Sequence, residues 1–190
     1  MANTKKFFIL TGDPGVGKTT LTKKLSKLLL EKGVNTTGFY TEETRRNGVR
    51  EGFDVVSLDG ARGRLARDQN LLNSPVKFRV GRYGVLIQEF ENVAMSSMIK
   101  PINMQAHVLV IDEIGKMEFF SEPFKSRVRE IFSDQSEYVV LATIPVRRCD
   151  SLIESIRNHK QAKVWTVTRE NRNNIHEDII RKMQATLNFN

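Results

Sequence analysis

The sequence predicts an α/β fold with a doubly wound, mainly parallel sheet and antiparallel hairpin strands inserted after the second strand. Three observations carry this. Short apolar runs alternate with helical apolar periodicity at both ends of the chain, the first run breaks through a glycine-rich turn directly into a helix, and the middle alternates around Asn-Gly and Asp-Gly pairs. The 190 residues carry no linker-like composition, so residues 1–190 are expected to form one domain with an antiparallel insert at about 41–88.

The first strand, Lys6–Thr11, is apolar through Phe7-Phe8-Ile9-Leu10, as the buried centre of a parallel sheet requires. From Lys18 to Lys32 the leucines at 21, 25, 28 and 29 fall at helical spacing, lysines take the opposite face, and Gly33 supplies the stop. Val34–Tyr40 reads as the second strand. Arg45–Leu58 and Val76–Ile87 read as hairpin strands around turns at Asn47-Gly48, Asp59-Gly60 and Gly81 or Gly84. Phe90–Ile99 reads as a helix ended by Pro101, and Val108–Ile111 as a short buried strand. Pro123–Phe132 is expected to be helical, Tyr138–Thr143 a strand, Ser151–Asn158 a helix, Lys163–Thr168 a strand and Asn173–Leu187 the closing helix.

Composition excludes several classes. No apolar run approaches the roughly 20 residues of a membrane span, and the polar start leads into an apolar stretch too short for a secretory signal. Cys149 is the only cysteine, which rules out an internal disulfide and a cysteine-clustered zinc site and agrees with a reducing, cytoplasmic setting. The formal charge of +8 favours anionic partners, but the basic residues are dispersed. Nucleotide phosphate accounts for part of the excess; nucleic acid is a possible partner that the sequence does not favour, no membrane partner is expected, and the chain is expected to be a monomer.

Gly12-Asp13-Pro14-Gly15-Val16-Gly17-Lys18-Thr19 satisfies G-x-x-x-x-G-K-[ST] between an expected strand and an expected helix, the context that separates a phosphate loop from a chance match. Glycines let the backbone approach closely, so successive N–H groups point inward around phosphates at a helix N-terminus. Lys18 is expected to reach the β and γ phosphates and Thr19 to place its hydroxyl on Mg²⁺; Thr20 either contacts the α phosphate or is an ordinary first-turn residue.

A buried strand that ends in Asp112-Glu113 completes such a site. Asp112 is the expected Mg²⁺ residue, acting through the ion's water shell, and Glu113, one residue further, is the expected base for the water that attacks the γ phosphorus. Lys116 is positioned to neutralise developing phosphate charge, or else forms a plain surface ion pair with Glu118. Thr143, at the end of the next strand, presents its hydroxyl near the γ phosphate if the two strands are neighbours. After the last strand, Asn171 and Arg172 are candidate base contacts; alternatively, Thr168 or Asn171 caps the final helix. Arg45, Arg46, Arg50, Arg62, Arg64 and Arg67 are the pool from which an internal arginine finger would come. Hydrolysis is the leading expectation. The alternatives are a nucleotide or polynucleotide kinase, disfavoured because only Pro145–Asp150 is available as a lid, and a nucleotide-switched nucleic-acid-binding module.

Gly12–Thr19, Gly38-Phe39-Tyr40-Thr41-Glu42-Glu43, Gly52-Phe53-Asp54-Val55-Val56, Val110-Ile111-Asp112-Glu113-Ile114-Gly115-Lys116-Met117-Glu118 and Glu170-Asn171-Arg172-Asn173 together resemble the cancer-related nucleoside-triphosphatase family over nearly the whole chain. The resemblance implies a P-loop NTPase fold of the RecA-like type. It also implies Mg²⁺-dependent, slow hydrolysis of ATP, GTP, CTP, UTP and similar triphosphates to diphosphate and phosphate, with broad base tolerance. It supports Glu113 as the catalytic carboxylate, Lys18, Thr19 and Asp112 as phosphate and Mg²⁺ residues, and adds weight to Lys116.

Overall fold

The computed structural model describes residues 4–99 and 106–187, so Pro101 lies outside the described residues. The strands are β1 (Phe7–Thr11), β2 (Asn35–Arg46), β3 (Val49–Ser57), β4 (Arg62–Asp68), β5 (Arg79–Val80), β6 (Tyr83–Val85), β7 (His107–Asp112), β8 (Val140–Thr143) and β9 (Ala162–Thr166). The helices are α1 (Lys18–Glu31), α2 (Ile87–Ser97), α3 (Glu122–Ile131), α4 (Ser151–Arg157) and α5 (Ile175–Leu187).

The described strands form one nine-stranded sheet in the order β5-β6-β4-β3-β2-β7-β8-β1-β9. β2, β7, β8, β1 and β9 run parallel, while β3, β4, β6 and β5 extend the sheet antiparallel. β8 lies between β1 and β7, so the strand that feeds the phosphate loop and the strand that ends in the acidic pair are two steps apart. The carboxyl ends of the parallel strands share one edge, where ligand crevices form in sheets of this kind.

The hydrophobic pattern of each parallel strand is continuous because both faces are covered. On one face Phe8, Leu10, Val108, Val110 and Leu141 meet Leu21, Leu25 and Leu29 of α1 and Ile179 and Met183 of α5. On the other, Phe7, Phe39, Ile111 and Ala142 meet Phe90 of α2, Phe124 and Val128 of α3 and Ile153 of α4. The rings of Phe39, Phe90 and Phe124 are mutually edge-on, with centroids 5.1 to 5.9 Å apart. Phe124→Ala opens this cluster and is expected to destabilise the fold by about 3–5 kcal/mol, read as a lower urea midpoint at unchanged slope.

The structure departs from the sequence expectation in the insert. β2 does not stop at Tyr40 but continues to Arg46, because Thr41-Glu42-Glu43-Thr44 contains no breaker and its outer half exchanges β7 for β3 as partner. Of Val76–Ile87 only residues 79–80 and 83–85 are strand, and Ile87 already opens α2, three residues before the expected start. The Gly81 turn leaves too few residues on either side for a longer ladder. The turn at Asn47-Gly48 and the helix stop at Gly33 lie where expected; there the Gly33 N–H donates to Leu30 O and the Val34 N–H to Leu29 O.

Candidate active site at the carboxyl edge of the sheet

β1 delivers Gly12 to the crowded base of the loop. Its φ is +151°, and a Cβ there would lie 2.5 Å from the carbonyl oxygen of Val167 at the end of β9, so only glycine lets the two segments touch. Gly17, with φ +111°, turns the chain into α1, where a helix start leaves backbone N–H groups free for an anion. Val16 anchors the loop by burying its side chain in the core beneath, while Asp13, Pro14 and Gly15 face solvent. Lys18 Nζ donates to Gly12 O at 2.8 Å and Asp13 O at 3.1 Å, so its ammonium lies across the loop. Thr19 is half-buried in the first turn of α1 and Thr20 is exposed.

Asp112, at the end of β7, is completely buried. The Thr143 hydroxyl donates to its Oδ1 at 2.5 Å, which the β7–β8 pairing makes possible, whereas its buried Oδ2 has no hydrogen-bond partner. Burial pushes this carboxyl above the usual range; Thr143, the nearby Thr19 hydroxyl, the Lys18 ammonium and the Thr41 backbone oppose the shift by favouring the ionised form. A buried carboxylate oxygen without a donor, next to a threonine hydroxyl and a phosphate loop, fits a hard cation with oxygen ligands.

Glu113 is half-buried. Burial first, then the neighbouring Asp112 charge, raise its pKa, and Lys18 opposes them. Its carboxylate converges with that of Glu118 over Gly115: a Cβ on Gly115 would lie 3.0 Å from Glu118 Oε2 and 3.2 Å from Glu113 Oε1. Of the two alternatives for Lys116, the surface pair with Glu118 is not formed among the described residues. Glu118 is buried, 5% exposed, and turned toward Glu113, while Lys116 is exposed and makes no ion pair with any described residue.

Burial and the Glu113 charge hold the Glu118 carboxyl well above the ordinary range. Below the ordinary carboxylate pKa both folded and unfolded chains keep this proton. As pH rises beyond it the unfolded chain ionises freely and the folded one cannot, so stability is lost. Glu118→Gln is accordingly expected to raise the melting temperature at pH 8, by about 2–4 °C for each kcal/mol relieved, and to lose that gain near pH 4.

Beyond β9, the Asn171 side chain accepts from the Thr168 N–H at 2.8 Å and donates to Thr166 O at 2.9 Å. Its amide shapes the loop, and α5 begins only at Ile175, so neither Asn171 nor Thr168 is the side-chain cap of that helix. Arg172 lies over the phosphate loop, with Nη1 donating to Val16 O at 3.3 Å. A cavity of about 450 Å³ separates the phosphate loop from the β9–α5 loop and is closed on one side by Val146. Val146 carries no signal in the sequence. Neither does Arg157, which reaches from α4 to Thr11 and to the carbonyl of Pro145 and so ties the root of the phosphate loop to the Val146 loop.

The six arginines of the insert that the sequence offers as finger candidates are all engaged. Arg45 and Arg50 pair with Glu43, Arg46 with Glu51, Arg62 with Glu42 and Asp54, Arg64 with Glu89 and Arg67 with Asp54. None is a free cation aimed at the phosphate loop.

The family described as NTPase matches residues 7–180. The human cancer-related nucleoside-triphosphatase is 46% identical over 185 residues, covering 93% of this chain and 96% of that one. The nucleoside-triphosphatase THEP1 of Thermotoga maritima is 38% identical over 182 residues, covering 96% and 95%. Among solved structures, the crystal structure of THEP1 from Aquifex aeolicus superposes with a TM-score of 0.80 at 37% identity, covering 93% of this chain and 98% of that one. The solution structure of the human protein gives 0.78 at 45% identity, covering 95% and 98%.

Proposed function

Because this chain belongs to the nucleoside-triphosphatase family and is a hydrolase of nucleoside triphosphates, we propose that its activity is Mg²⁺-dependent, tolerant of the base, and carried out by the groups gathered around Gly12–Thr19. The observation that carries this reading is that Lys18 on the phosphate loop lies within electrostatic reach of the buried Asp112 and the half-buried Glu113 at the end of β7, two strands away.

The loop amides and Lys18 bind the β and γ phosphates. Thr19 and Asp112 would hold Mg²⁺, which neutralises phosphate charge when bound. Thr143 keeps Asp112 oriented through Oδ1. Glu113 takes the proton of the attacking water, and its partly desolvated carboxylate is a stronger base than one in bulk water. Lys116, on the turn that follows Glu113, is free to meet charge that develops on the terminal phosphoryl group. Arg172, lying over the loop, and Asn171, which shapes the wall beside it, are assigned to the nucleotide side.

Among the described residues no helix is long and apolar enough to cross a membrane. Cys149 is free and exposed, which suits a reducing, cytoplasmic setting.

The cavity between the phosphate loop and the β9–α5 loop accommodates the base. Phosphate release from ATP, GTP, CTP and UTP without any acceptor is expected at kcat/KM values within about a hundredfold of one another, since an imperfect apolar fit discriminates by only about 1–3 kcal/mol, and chelation of Mg²⁺ is expected to stop it. A single active base, or release that needs an added hydroxyl or phosphate acceptor, sinks this reading.

A further inference from the structure

Base-free inorganic tripolyphosphate is a second substrate of this site, we propose, an inference that rests on the hydrolytic reading above. Two observations carry it, one on each side of the ligand crevice.

On the phosphate side, a group of cations without a carboxylate partner among the described residues stands at the carboxyl edge of the sheet. Lys116, Arg147 and Arg169 are exposed and form no ion pair with any described residue, and the Arg172 guanidinium donates to the Val16 carbonyl without a carboxylate partner among the described residues. They lie on the loops that leave β7, β8 and β9; β8 and β9 flank β1, and β7 is the next strand beyond β8. From β7 to β9 is three strand steps, about 14 Å at the usual inter-strand spacing of about 4.8 Å. Arg45, Arg46, Arg50, Arg62, Arg64 and Arg67 of the insert, by contrast, are paired with carboxylates. The loops around the phosphate loop therefore keep four cations available to a polyanion bound there, Arg169 among them at the mouth of the cavity.

On the base side, the cavity offers a surface without a code. Its apolar wall is Pro14, Val146 and Val167, and none of its polar side chains is buried. The Thr168 hydroxyl accepts from the Asn171 N–H and lowers the pKa of Glu170 by hydrogen bonding, and the Asn171 amide is held at both ends by loop backbone. Strong discrimination arises when a missing ligand group leaves a buried donor or acceptor unpaired; here nothing buried is left unpaired when the base is absent. A nucleoside adds contact area and no required partner.

The chemistry balances without a base. Water oxygen forms a bond to a terminal phosphorus, the bridging P–O bond breaks, diphosphate leaves with the electron pair, and Glu113 takes the water proton. The products are orthophosphate and diphosphate.

The test is orthophosphate release from sodium tripolyphosphate and, in parallel, from ATP, by the same preparation of the full chain with Mg²⁺, using wild type, Lys18→Ala and Glu113→Gln. The expected result is a kcat for tripolyphosphate within about tenfold of that for ATP, a KM raised by up to about tenfold, and loss of both activities in both variants. Calorimetric binding of tripolyphosphate to Glu113→Gln, displaced by ATP, is expected to accompany it. Release from ATP but not from tripolyphosphate overturns this inference alone. Tripolyphosphate cleavage that persists in both variants overturns it as a property of this site, and release from neither compound overturns the hydrolytic reading with it.

Discussion

Glu113→Gln is expected to lower kcat about a thousandfold while leaving nucleotide affinity within a few-fold of wild type. A positioned general base contributes about 10²–10⁴ in rate, and glutamine keeps the shape of the side chain while removing its capacity to accept a proton. The contrast between kcat and affinity follows from the geometry. Lys18 and the loop, to which phosphate binding is assigned, stand between β1 and α1, whereas Glu113 follows β7, with β8 between the two strands. Because the glutamate sits half-buried beside Asp112, its replacement also removes a negative charge from beside the residue that would hold Mg²⁺, so Mg²⁺ affinity in the variant is expected to hold or fall by a few-fold. Single-turnover phosphate release with a parallel titration by a fluorescent triphosphate analogue separates the two quantities; equal losses in both contradict the assignment.

Lys18→Ala is expected to cost more in kcat/KM than any change on the base side, at least about a hundredfold. The ammonium supplies a charge-assisted bond to phosphate worth about 1.5–3 kcal/mol in binding, and further stabilisation as charge moves onto the bridging oxygen. Its stem crosses the loop to Gly12 O and Asp13 O, so truncation also removes a tie within the loop itself. Steady-state kinetics with ATP should show both a raised KM and a lowered kcat, with a melting temperature close to wild type. A variant that keeps full turnover at saturating ATP removes Lys18 from the chemistry.

The parts of the site legible in the sequence are those whose chemistry demands contiguous residues. Gly12–Thr19 is readable because close backbone approach and an N-terminal helix turn must be built in one short stretch, and Asp112-Glu113 because a buried strand must end in its carboxylates. The parallel half of the sheet is readable for the same reason, since each strand and each helix declares itself by local periodicity. What depends on neighbours across the sheet is less so. The bond from Thr143 to Asp112 needs β8 to lie between β1 and β7, a strand order that no local pattern records. The insert arginines look like candidate fingers in one dimension and become ion-pair partners once β2, β3 and β4 align their carboxylates. Likewise Glu118 reads as a surface acid until the turn at Gly115 folds it inward beside Glu113. Val146 and Arg157 act through where β8 and α4 place them, and their residue types say nothing of it.

The central claim is that water, handled by Glu113 at the carboxyl edge of the sheet, attacks the terminal phosphorus. Turnover of ATP in ¹⁸O-labelled water, followed by mass analysis of both products, tests it most directly. One solvent oxygen in each released orthophosphate, none in the diphosphate, and loss of the labelled product in Glu113→Gln are the expected results. Label in the nucleoside diphosphate, or no release until a hydroxyl or phosphate acceptor is added, would contradict the claim.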